Sequence, residues 1–200
     1  GLLGPETMLA HAIWLDDDDI ARIAARGACC VYNPVSNMKL ASGFMPLEKL
    51  QRAGVPVALG TDGPSSNNTQ DMFREMLVGS LIQKGHRLDP TAADAHTMLW
   101  MATRGGARAI GQEKDLGSIE VGKKADLILV DFRHVRHTPK PEDLEAALVY
   151  ATASDDVRLT MVDGVIRMQD GLFPGQNEEA MCHEAENAWR KLHEQKGQHA

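Results

Sequence analysis

Three polar residues stand where apolar runs stop: His11 in "LAHAIWL", Asn33 in "CCVYNPVSNMKL" and Asp62 in "VALGTDGPSSNN". The acid raises the sharpest question. A carboxylate at the end of a buried strand could hold a cation and accept a proton, but an Asp followed by Gly63 also makes an Asx turn. A lone histidine on an apolar strand is commonly a core residue with its bonds satisfied. Asn33, Ser36, Asn37 and Lys39 surround one position and Ser65, Ser66, Asn67 and Asn68 another. Such residues suit loop-building hydrogen bonds as well as substrate contact.

The elements that must position these residues repeat. "ETMLAHAIWL" is followed by "DDDDIARIAARG", with Ile20, Ile23 and Ala24 at helical spacing, acids at the start and Gly27 closing the helix. "ACCVYNPVSNMKLASG" is a second apolar run with a long polar loop, and "MPLEKLQRAG" reads as a short helix ended by Gly54. "VPVALGTDGPSSNNT" is a third strand and loop, and "DMFREMLVGSLIQKG" its helix, with Met72, Met76, Leu77 and Leu81 along one face. Alternating strands and helices predict parallel strands covered by helices. In such sheets the loops after the strands carry the site. His11, Asn33 and Asp62 are therefore expected to converge on one rim.

Further along, a helix is expected after Pro90, with Met98, Leu99 and Ala102 apolar. "GSIEVGKKADLILVDF" and "DDVRLTMVDGVIRMQDG" then read as strands, the second stretch turning at "VDG" between two alternating segments. The tail "NEEAMCHEAENAWRKLHEQ" is an amphipathic helix with acids first and bases later, and residues 197–200 are expected to fray.

Composition narrows the classes. The 200 residues are 43% hydrophobic and 24% charged, as in globular proteins. With 21 Lys and Arg against 28 Asp and Glu, a net charge of −7 and no basic stripe, a nucleic-acid partner is disfavoured. The apolar runs are too short to span a bilayer and no signal-type start is visible, so no membrane partner and a cytoplasmic location are expected. The three cysteines, adjacent Cys29 and Cys30 and the distant Cys182, form no disulfide framework and are expected as free thiols.

Four motifs in order, "LAHAIWL" at 9–15, "NPVSNMKLASG" at 33–43, "LGTDGPSSNN" at 59–68 and "GSIEVGKKADLILVD" at 117–131, resemble the amidohydrolase superfamily. Within it the chain is similar to the C-terminal half of S-adenosylhomocysteine and methylthioadenosine deaminases and to triazine chlorohydrolases. The resemblance implies an α/β fold: the C-terminal part of a metal-dependent hydrolase (β/α)8 TIM barrel, strands six to eight with their helices, plus part of a small β-sandwich. It divides the chain into a barrel part at 1–112, a sandwich segment at 113–172 and a C-terminal helix and tail at 173–200. Beginning at Gly1, in what would be the middle of the barrel, the chain is expected to be a C-terminal fragment or one part of a longer product.

The resemblance also implies roles. Asp62 matches the family's last-strand metal ligand, which can take the proton of the attacking water. His11 matches the sixth-strand histidine, which hydrogen-bonds the attacking hydroxide and stabilises the tetrahedral adduct. Asn33, Ser36, Asn37, Ser65 and Asn67 remain weaker candidates for substrate contact. Family members hold a divalent metal, zinc foremost with iron or manganese as alternatives, through a His-x-His pair on strand one and a histidine on strand five, with a glutamate nearby. No substitute for these stands in this chain; His134 and His137 of "RHVRH" lie far from the rim loops. The implied reaction is hydrolytic deamination of an aminated heterocycle of adenosine type. The missing N-terminal half of the barrel would be supplied in cis or in trans, and this chain alone is expected to be inactive. Homo-oligomers are common in the family. The alternatives are a triazine chlorohydrolase or guanine-deaminase-like hydrolase, and a non-catalytic half-barrel scaffold or assembly subunit.

Overall fold

A computed structural model describes residues 1–197. Of residues 197–200, expected to fray, Gly197 ends the last helix and 198–200 lie outside the described residues. Strand β1 (Met8–Ala10) leads to helix α1 (Asp17–Arg26), β2 (Cys29–Tyr32) to α2 (Pro34–Lys39) and α3 (Leu47–Arg52), and β3 (Val57–Leu59) to α4 (Pro64–Asn67) and α5 (Met72–Arg87). The three strands are parallel in the order β1-β2-β3, with Leu9 opposite Cys30 and Cys30 opposite Val57. Parallel neighbours need a crossover between them, and the intervening helices supply it.

Local chemistry sets the helix ends. Asp16 caps α1 by accepting from the Asp19 amide, Asp19 reciprocates, and Gly27 ends the helix at φ 69°. Ile20 and Ile23 are buried, so the face expected of α1 is the face that packs. The core beneath the helices joins Ile20, Ile23, Cys30, Tyr32, Leu50 and Val57.

Three expectations change. The polar stretches after β2 and β3 are expected as loops, yet each opens with a short helix, α2 or α4, begun by a proline at its first position. Proline there loses no helical hydrogen bond and has its φ already set. In α5 the buried face is Glu75, Met76, Gly79, Ser80 and Gln83, whereas Leu81 is 52% exposed. The buried face is polar because the residues packed on it, Tyr32, Met45 and the β2 and β3 loops, offer hydrogen bonds.

The helix expected after Pro90 starts at Ala95, capped by Asp94 (α6, Ala95–Trp100), and runs through a π turn, Met101–Gly105, into α7 (Gly106–Ala109). A Cβ on Gly105 would stand 2.8 Å from the Val57 carbonyl, so glycine permits this close approach to β3. Strand β4 (Leu127–Val130) follows, then α8 (Leu144–Tyr150), which sequence periodicity did not single out. The Tyr150 hydroxyl lies 2.8 Å from Ser80 Oγ, and Val149 belongs to the main core.

Strands β5 (Val157–Val162) and β6 (Val165–Gln169) complete an antiparallel sheet in the order β4-β5-β6. Asp163 and Gly164, both at positive φ, make the two-residue hairpin turn expected at "VDG". Helix α9 (Glu178–Gly197) is the last element of the described residues. All three cysteines are free, and no helix among the described residues is long and apolar enough to cross a membrane.

Candidate active site

His11, Asn33 and Asp62 all lie at or just beyond the C-terminal ends of β1, β2 and β3. Beyond Ala10 the backbone leaves the strand through two left-handed residues, His11 at φ 67° and Ala12 at φ 45°. The turn is anchored where the His11 amide donates to the Val31 carbonyl at 2.9 Å and lies 3.3 Å from Asn33 Oδ1. Asn33 is buried behind it. A Cβ on Gly60 would stand 2.9 Å from Asn33 Nδ2, so β3 ends on glycine where this amide needs the room.

The His11 ring is held by Asn37, whose Oδ1 is 2.8 Å from Nδ1. With the amide oxygen toward the ring, neutral His11 carries its proton on Nδ1 and keeps a lone pair on Nε2. Nε2 faces Asp62 Oδ2 at 3.9 Å. Both side chains are about one-third exposed, His11 37% and Asp62 32%, so they are reachable from the rim.

Asp62 is itself in the left-handed region, at φ 61°. Two hydroxyls converge on its Oδ2: Ser36 Oγ and Ser66 Oγ each donate at 2.6 Å. The Ser36 bond first, then the Ser66 bond and the Gly63 amide, lower the Asp62 pKa from 3.8 to about 2. Hydrogen bonds to the charged form favour it, so the group is a carboxylate throughout the neutral range.

The remaining polar residues build the loops. Lys39 Nζ donates to the Ser65 carbonyl at 2.9 Å and to Asn68 Oδ1 at 2.5 Å, tying α2 to α4. Buried Asn67 donates from Nδ2 to the Thr61 carbonyl at 2.6 Å and to Glu75 Oε1. Of the five weaker candidates, Asn33, Ser36, Asn37 and Asn67 are buried, and only Ser65 is exposed. His134 and His137 are not at this rim. His137 is buried with Nε2 3.1 Å from Asp156 Oδ2, and the His134 ring accepts from the Arg136 amide.

Sequence reading missed Glu75, which is wholly buried and bonded to both loops. A signal was present: an acid at the position of α5 adjoining Met76, on the side that must meet the sheet.

The donors fit one side of a divalent-cation site, an ionised carboxylate with an imidazole nitrogen close by, and do not complete one. Among the described residues no three His, Cys, Asp or Glu side chains are grouped to hold a metal ion.

Residues 1–167 match the amidohydrolase family. The chain belongs to that family. This amidohydrolase is 43% identical over 192 residues to the 5'-deoxyadenosine deaminase of Methanosarcina mazei, covering 96% of this chain and 44% of that protein. Over 170 residues it is 48% identical to the 5-methylthioadenosine/S-adenosylhomocysteine deaminase of Syntrophobacter fumaroxidans, covering 85% of this chain and 39% of that one. Its fold superimposes with a TM-score of 0.91 on the crystal structure of an adenosine deaminase from Xanthomonas campestris with bound zinc, at 38% identity over 96% of this chain and 43% of that one. The amidohydrolase thus spans less than half the length of each of these three proteins.

Proposed function

We propose that this chain supplies the Asp62 side of a metal-dependent hydrolase that deaminates adenosine-type nucleosides, such as 5'-deoxyadenosine, methylthioadenosine or S-adenosylhomocysteine. In this reading β1, β2 and β3 are strands six to eight of a (β/α)8 TIM barrel, within residues 1–112. The antiparallel sheet belongs to a small β-sandwich, residues 113–172, followed by the helix and tail of 173–200. The observation that carries the reading is one carboxylate kept ionised by Ser36 and Ser66, with the His11 ring 3.9 Å away, at the ends of three parallel strands. The names of the similar proteins support the substrate class.

Asp62 would be one ligand of a divalent cation, zinc by its donor set. The family's histidine ligands and its glutamate would come from the N-terminal part of the barrel, in cis or in trans. A bound divalent cation lowers the pKa of its water from 15.7 to about 7. Asp62, ionised at neutral pH, accepts a proton from the attacking water. His11, its ring fixed by Asn37, accepts at Nε2 a hydrogen bond from the O–H of the water whose oxygen adds to the ring carbon bearing the amino group. The carbon–nitrogen bond then breaks: the proton taken by Asp62 goes to the amino nitrogen, which leaves as ammonia, and the hydrogen still on the added oxygen moves to the neighbouring ring nitrogen, so the ring keeps the oxygen as a carbonyl.

The test joins this chain to the N-terminal portion of a relative, adds zinc, and measures ammonia from the three nucleosides above and from adenosine. Ammonia release that disappears in Asp62→Asn is the expected result. Halide from a chlorinated triazine, or ammonia from guanine alone, would move the assignment to another branch. Silence across the whole panel, with zinc bound, would leave a scaffold role as the better reading.

A further inference from the structure

Glu75 is an acidic residue with no exposed surface, placed in the first turn of α5. Burying a carboxylate costs several kcal/mol unless its oxygens are bonded. Each oxygen has one donor: the Val35 amide reaches Oε2 at 3.2 Å, and Asn67 Nδ2 reaches Oε1. No Lys or Arg forms an ion pair with it among the described residues. Burial raises its pKa, and the bonds from Val35 and Asn67 oppose that shift.

The two donors are the telling feature. Val35 is in the first turn of α2, whose N-cap residue Asn33 makes no side-chain cap, so its amide would otherwise be unpaired. Asn67 uses the same nitrogen to grip the Thr61 carbonyl at 2.6 Å. Each residue held is the chain neighbour of one that meets at the carboxylate of Asp62: Val35 precedes Ser36, Asn67 follows Ser66, and Thr61 precedes Asp62 itself.

We propose that Glu75 is the positioning residue of the Asp62 site, a buried clamp between the loops after β2 and β3 that brings Ser36, Ser66 and Asp62 to one point. This rests on the reading of Asp62 as a metal ligand. A glutamine would present one NH2 group to a donor, since both oxygens are needed. An aspartate, one methylene shorter, would not span the two loops. Partners behind a metal ligand are commonly worth about 10- to 100-fold in affinity or activity.

The clamp predicts a pattern of amide hydrogen exchange. In Glu75→Gln, residues 35–37 and 61–67 should exchange at least about tenfold faster, with the amides of β1, β2 and β3 unchanged. Asn67→Ala cuts one arm, so 61–67 should loosen while 35–37 keep their protection; this variant also serves should Glu75→Gln fail to fold. Unchanged loops, or a loss spread evenly over the chain, would overturn the proposal.

Zinc affinity, measured by chelator competition on the chain joined to the N-terminal portion of a relative, should fall about 10- to 100-fold in Glu75→Gln. Loosened loops with unaltered zinc affinity would also overturn it. Asp62→Asn separates the two readings: if it binds zinc as tightly as the parent, the ligand role of Asp62 fails, while the exchange pattern still decides whether Glu75 clamps the loops.

Discussion

At Asp62, each hold on the carboxylate can be removed singly. Ser36→Ala takes away the largest cause of its low pKa, so the value should move from about 2 toward 3.8, read by carbon-13 NMR of the carboxyl. The sign for stability follows. Because the folded value lies below 3.8, ionised Asp62 stabilises the fold fully above about pH 4, and this contribution is lost as pH falls through about 2. Urea midpoints should therefore depend less on pH across that window in Ser36→Ala than in the parent. The deletion itself should cost about 1–2 kcal/mol at neutral pH, since a buried hydroxyl bonded to a charge is lost. Under the proposed function, Asp62→Asn in the chain joined to the N-terminal portion of a relative should lower ammonia release by about 10²- to 10⁴-fold, the usual scale for a proton-transfer group.

At the level of elements, two glycines set how closely β3 and α5 approach their neighbours. A methyl on Gly60 would meet Asn33 Nδ2 and Val31 Cγ1, each at 2.9 Å. One on Gly79 would meet Met98 Cε at 2.8 Å and Tyr32 Cε1 at 3.0 Å. Overpacking of this kind costs about 1–3 kcal/mol. Gly79→Ala should therefore destabilise in chemical denaturation, although alanine in an open helix position would stabilise by about 1 kcal/mol. Gly60→Ala should in addition move the Asn33 amide, and with it the His11 turn, visible as shifted His11 ring signals in NMR. Unshifted His11 signals would mean that Asn33 does not transmit the change.

For the whole molecule, the described residues leave β1 paired on one side only, with Met8 51% exposed on it and Trp14 86% exposed just beyond. An open edge beside apolar surface invites another chain. The isolated chain should scatter light as a species heavier than 21.8 kDa, and once the N-terminal portion of a relative is supplied the mass should settle at the sum of one copy of each. A clean monomer with sharp cooperative unfolding would contradict this. Complementation and activity are thus one experiment: the partner that covers the edge is the one proposed to bring the remaining metal ligands.

Much was legible in the residues because it is local. The periods of α1 and of the hairpin, the Gly27 stop and the "VDG" turn depend on neighbours within a few positions, and they stand in the fold as read. The three strand ends carrying His11, Asn33 and Asp62 followed from the alternation of strand and helix. Short α2 and α4 were less legible, since polar Ser and Asn runs suit loops, and the bonds that hold them run to Glu75, to Asp62 and from Lys39 of α2 across to α4. The buried face of α5 was misread toward Leu81 because a polar buried face looks, in sequence, like a solvent face. By itself the sequence determined the local elements and the acid at the rim. Only the tertiary structure decided which hydroxyls hold Asp62, which amide turns His11, and that Glu75 lies behind both loops. The contacts of His11 with Asn37, of Ser36 with Asp62 and of Val35 with Glu75 join residues 26 to 40 positions apart, where pairing depends on how the chain packs and leaves no periodic mark.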